Sequence, residues 1–220
     1  KAISSLATML EEAAGGKGDA QTAAAVRGRV VPGIIQQFAQ ADEASFLSSR
    51  PASSEETPSA SVVEILQRRA ADQKSAIVRK AAMQALVALV ELAKASGDAA
   101  SPEQIKSLGL SVCGLLLEHC TDSSLLVRRQ CLSSLTSIAV EAASVQEGGA
   151  PLSSEMKLWI QAALPMTSDP EQTAQEQALD AVETVLLGPI AKRAGGGEAW
   201  AALEAIGETE LHPAMQRACA

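Results

Sequence analysis

Residues 75–90, SAIVRKAAMQALVALV, come back in altered form at residues 124–139 as SLLVRRQCLSSLTSIA. No other feature of the chain constrains its fold as tightly. Aligned on this phrase, Val78-Arg79 matches Val127-Arg128, Ala82-Met83 matches Cys131-Leu132, Leu86 matches Leu135 and Leu89 matches Ile138, at an offset of 49 residues. A third copy, TAQEQALDAVETVLL from Thr173, sets Ala178-Leu179 at the Ala-Met position, 47 residues further on. An aspartate precedes each copy: Asp72, Asp122 and Asp169. Within a copy the apolar positions keep helical spacing; Val78, Ala82, Leu86, Leu89 and Ala93 fall one turn apart on one face. No run alternates with the period of a strand.

Each copy therefore reads as two helices joined by a short Asp-bearing turn. One such hairpin cannot bury its apolar face alone, so the copies must stack on one another. The fold class expected is all-α: a HEAT-repeat (armadillo-like) α-solenoid, a right-handed stack of antiparallel helix pairs. The expected helices cover residues 1–13, 20–31, 33–48, 61–72, 75–96, 102–120, 124–146, 153–166, 170–188, 197–207 and 211–220. Ser61-x-x-Glu64 has capping-box spacing. Ser101-Pro102-Glu103-Gln104 and Asp169-Pro170-Glu171-Gln172 put Pro at the first helical position, where its missing N–H is no loss. Three regions follow: N-terminal helices at 1–47 as an atypical HEAT unit, a disordered Ser/Pro/Glu linker at 48–60, and a HEAT array at 61–220. The array holds about three repeats and the start of a further one. Within the linker, Thr57-Pro58 is a minimal proline-directed phosphorylation site.

Composition agrees with packed helices. Hydrophobic residues reach 47% but aromatics only 2%, with no Tyr, so the core must be built from Ala, Leu, Val and Ile. The net charge of −8 excludes a chain basic throughout, though not a local basic face. Cys113, Cys120, Cys131 and Cys219 show no C-x-x-C spacing and read as buried thiols of a reducing compartment. No apolar run reaches the length of a membrane span, so no membrane partner is expected. The start at Lys1 and the stop within the helical MQRACA are expected of a piece cut from a larger intracellular protein.

SAIVRKAAMQALVALV, SLLVRRQCLSSLTSIAVE and above all LWIQAALPMTSDPEQTAQEQALDAVETVLLGPI resemble the HEAT array of the D-type regulatory (non-SMC) subunit of condensin II. The resemblance covers about residues 61–219, and QEQALDAVETVLL is its most distinctive part. It implies a non-catalytic scaffold in the nucleus, on the chromosome. Its implied partners are the kleisin, the SMC ATPase heads and the second HEAT subunit of condensin II, with DNA or nucleosomes, in mitotic chromosome condensation. ATP hydrolysis would belong to the SMC partners. Where that family places Arg in a HEAT helix the third copy has Gln175, so a role tied to the Arg does not carry over there. The alternative is a generic HEAT adaptor, a transport receptor or phosphatase scaffold, gripping a partner peptide on its concave side.

No enzyme motif competes with this reading, and no cofactor or metal is expected. The histidines are His119 and His212 alone, and no phosphate-binding glycine loop is present. A Cys113/His119/Cys120 metal set has the spacing of core positions two turns apart instead. Charge placement is more informative. Arg68, Arg69, Lys74, Arg79 and Lys80 lie within thirteen residues opposed by Asp72, and Arg128-Arg129 repeat the pair one unit on. From Glu141 to Glu183, eight carboxylates face Lys157 alone. Arg79 and Arg128 are expected to join Asp72, Asp122 and Asp169 in a ladder between repeats. Arg68, Arg69, Lys74, Lys80 and Arg129 are the candidates for DNA or partner contact, with Lys80 and Arg129 in one basic stripe.

Overall fold

The computed structural model describes residues 62–95, 101–145, 152–191 and 197–207, with Ser5, Thr8 and Leu10 as isolated helical positions. All regular structure among the described residues is helical. Seven helical runs follow in order: α1 (Val62–Ala70), α2 (Ala76–Ala95), α3 (Pro102–His119), α4 (Leu125–Val145), α5 (Ser154–Met166), α6 (Gln172–Val182) and α7 (Gly197–Gly207). The expected helices at 20–31, 33–48 and 211–220, the linker at 48–60, Thr57 and the Ser61 capping box lie outside the described residues. So does nearly all of the expected helix at 1–13.

Helix starts follow local chemistry. At α3, Gln104 N–H donates to Ser101 Oγ (3.3 Å) while Ser101 N–H donates to Gln104 Oε1 (3.0 Å), with Pro102 as the first helical residue. This is a complete capping box, satisfying two N–H groups that the helix cannot. Ser101→Ala should lower stability by about 1 kcal/mol, measured by urea unfolding. At α5 the box is assembled from two elements. Ser153 Oγ accepts from Met156 N–H (3.1 Å), but the reciprocal bond to Ser153 N–H comes from Glu198 Oε1 on α7 (3.1 Å). A methionine at the third helical position cannot make that bond, and α7 supplies it from 45 residues away.

Pro170 departs from expectation. Helix α6 begins two residues later, with Glu171 as a cap that makes no side-chain bond. Asp169 is already committed to the turn, and Glu171 N–H donates to its Oδ1 (2.9 Å). At the other end α6 runs into a π turn at Glu183–Leu187 and a last α turn at Gly188–Ala191. The cause is Pro189, which has no N–H for the carbonyl four residues back. Gly188 N–H donates to Glu183 O instead, widening the coil by one residue. A Cβ on Gly188 would stand 3.1 Å from that same oxygen, so a residue without one suits the site.

Packing divides the chain into two units, Lys1–Leu115 and Leu116–Ala220, with the boundary inside α3. In the first, α1 packs on α2. Helix α2 buries Ala82, Met83, Ala85, Leu86 and Leu89 completely, and small alanines beside leucines let a helix be covered on more than one face. In the second, α4 packs on α5 and α6, α5 on α6, and α7 on α5 and the π turn. Trp159 is fully buried there, its Nε1–H donating to Thr136 Oγ1 on α4 (3.1 Å). The threonine hydroxyl in turn donates to Leu132 O (2.8 Å).

Candidate functional site

Three turns, before α2, α4 and α6, carry the residues singled out by the repeat. Their chemistry is the same. Asp72 Oδ1 accepts from Lys74 N–H (2.8 Å), Asp122 Oδ1 from Ser124 N–H (2.7 Å), and Asp169 Oδ1 from Glu171 N–H (2.9 Å). Each is an aspartate folded over the backbone two residues on, which turns the chain before a helix. The aspartate carbonyls are held as well. Arg79 Nη1 donates to Asp72 O (2.8 Å), Arg128 Nη1 to Asp122 O (2.9 Å), and Gln175 Nε2 to Asp169 O (2.6 Å). The first helical turn thus reaches back and locks the loop that precedes it. Gln175 does for the third turn what an arginine does for the other two, without the charge.

Arg128 has a second task. Its Nε and Nη2 donate to Asp169 Oδ2 and Oδ1, both at 2.8 Å, with side-chain exposures of 10% and 6% for the pair. This parallel, two-point bond joins the second copy of the motif to the third, and a planar guanidinium is the group suited to it. Burial pushes the Asp169 carboxyl up, but the hydrogen bonds from Arg128 and the Glu171 N–H outweigh it and hold it below the ordinary range. Arg128 is held above its usual value, first by the hydrogen bond to Asp169.

Beside it, Arg129 is exposed and makes a reciprocal clasp. Its Nε donates to Gln177 Oε1 (2.8 Å), and Gln177 Nε2 donates back to Arg129 O (2.9 Å). The sequence reading of Arg129 as a DNA- or partner-contact candidate did not include Gln177, which sits 48 residues on. Arg68, Arg69 and Lys74 are exposed and Lys80 is half-buried, all in the first unit; Arg129 belongs to the second. Arg79 is buried, with its Nη1 on the Asp72 carbonyl.

The thiols stay in the core. Cys113, Cys120 and Cys131 are buried thiols outside any disulfide, and burial pushes Cys120 up to about 12 and Cys131 higher still. His119 closes α3 with its Nδ1 3.3 Å from Asp122 Oδ2, which orients the ring toward the turn. Among the described residues no three His, Cys, Asp or Glu side chains come together as a metal site. No helix among them is long and apolar enough to cross a membrane.

No protein-family profile, curated protein or solved structure matches the chain.

Proposed function

We propose that the chain is a non-catalytic HEAT-repeat scaffold, a stack of antiparallel helix pairs of the kind found in the D-type regulatory subunit of condensin II. The observation that carries the repeat reading is the turn used three times: one aspartate, one side-chain lock on its carbonyl, at intervals of 47 to 50 residues. Such a spacing suits two helices and two loops per unit. The bond from Arg128 to Asp169 is what a stacked array needs between neighbours. The assignment to condensin II rests on the ordered phrases of the sequence, QEQALDAVETVLL foremost. On this reading the partners are the kleisin, the SMC heads and the second HEAT subunit, on the chromosome in mitosis, and DNA meets the exposed cations.

Crosslinking mass spectrometry from nuclear extract tests the assembly. SMC and kleisin peptides linked to this chain support it; transport or phosphatase partners move the chain to the general class of HEAT adaptors.

Contact with DNA has its own test. Lys80→Glu/Arg129→Glu should weaken duplex binding with helicity unchanged, and each lost phosphate contact should flatten the log–log salt slope by about 0.9. Because Arg129 also clasps Gln177, Arg129→Gln serves beside it as the variant that keeps a hydrogen-bonding side chain. Binding equal to the parent at low salt would remove DNA from the reading and leave the kleisin.

A further inference from the structure

Two exposed patches of this chain mirror one another. On α1, Ile65, Arg68 and Arg69 stand at i, i+3 and i+4, the spacing of one helix face, and all are exposed. Past the Asp72 turn, Lys74 and Ile77 add a further cation and a further apolar side chain, Ile77 being 67% exposed. On α6, Glu176, Leu179, Asp180 and Glu183 stand at i, i+3, i+4 and i+7 along the helical run, all exposed. Residues 172–191 contain no Lys or Arg and the partner of Glu176 is the neutral Gln172; Arg129 of α4 reaches this helix at Gln177, which leaves three carboxylates to one cation there.

One patch sets isoleucine among cations, and the other sets leucine among carboxylates. Exposed aliphatic side chains within a ring of like charge gain from a partner that covers the one and neutralises the other. Each patch has that partner in the opposite patch of another molecule.

We propose that the α1 patch of one copy docks on the α6 face of a second copy of this chain. The contact joins unlike surfaces, so each associated copy still offers one patch of each kind, and assembly continues past the dimer as concentration rises. The inference is independent of the condensin reading.

Sedimentation of the whole chain at about 50 mM and about 300 mM salt, from micromolar to several hundred micromolar protein, tests it. At low salt the average mass should climb beyond two chains; at high salt it should fall back, because exposed charges screen within a few ångströms more than their contact distance. Arg68→Gln/Arg69→Gln and Asp180→Asn/Glu183→Gln should each associate at least tenfold more weakly. Mixed in equal amounts, the two variants retain one intact patch apiece and should form a one-to-one dimer that grows no further. That recovery also shows that both variants fold. A parent chain that stays at one chain mass, variants that associate like the parent, or a mixture that stays monomeric would each overturn the proposal.

Discussion

Arg128→Ala should destabilise the second unit by about 3 kcal/mol, because it leaves a buried carboxylate without its counter-charge. For a domain of this size that is a fall in Tm on the order of 10 °C, visible in a thermal scan followed by circular dichroism. The loss is large because Asp169 works at three atoms: both carboxylate oxygens take Arg128, one also takes the Glu171 N–H, and the carbonyl takes Gln175. Asp169→Asn keeps an acceptor for Glu171 and loses the charge, so it should cost less than Asp169→Ala. The double variant Arg128→Ala/Asp169→Ala should lose less than the sum of the singles, and a strictly additive cycle would count against a direct bond. Acid supplies the same test without mutation. With its folded value depressed, Asp169 contributes fully above its unfolded value of about 3.9, and the contribution disappears as pH falls through the folded one. The gap in stability between the parent and Asp169→Asn should thus be complete at pH 7 and narrow below about pH 4.

Trp159→Ala should be the other severe change, at about 3–5 kcal/mol. The indole is the largest fully buried side chain, on a helix that packs against α4, α6 and α7. Trp159→Phe keeps most of the volume and removes only the N–H bond to Thr136, so about 1 kcal/mol is expected. Thr136→Val reverses the problem, leaving the indole N–H buried without an acceptor, at about 1–3 kcal/mol. Urea unfolding followed by Trp fluorescence of the parent and of Thr136→Val measures this directly. A Trp159→Ala variant within 1 kcal/mol of the parent would mean that the helices close over the gap.

The helices were legible because their signals are local. The recurrence of apolar residues every three or four positions marks α2 and α4 to within a residue or two of their ends. The aspartate turns were legible as a recurrence before their chemistry was known. What the chain does not announce lies between residues far apart in sequence. Glu198 completes the cap of α5 from another helix, and its Oε2 is buried with no hydrogen-bond partner among the described residues. Gln177 clasps Arg129 with nothing in its neighbours to suggest it. Pro170 looked like a helix start because Ser101-Pro102 is one; Asp169 instead folds over the Glu171 N–H in the turn used before α2 and α4, and the helix begins at Gln172. The candidate site divides the same way. Its residues were marked by repetition, whereas the clasp on Arg129 and the neutral lock of Gln175 needed the structure.

Arg128 and Arg129 are consecutive, and both reach across to the third copy from the first turn of α4. Thr136, two turns further along α4, accepts from Trp159 Nε1–H on α5 (3.1 Å). Side-chain hydrogen bonds thus tie this helix of 21 residues to its neighbours at two levels, in its first turn and near its middle. Hydrogen bonds of fixed geometry resist sliding, and the close-packed apolar side chains between them add to that resistance. The helix is therefore keyed at two depths, and a slip of one turn along its axis would break the bonds at both.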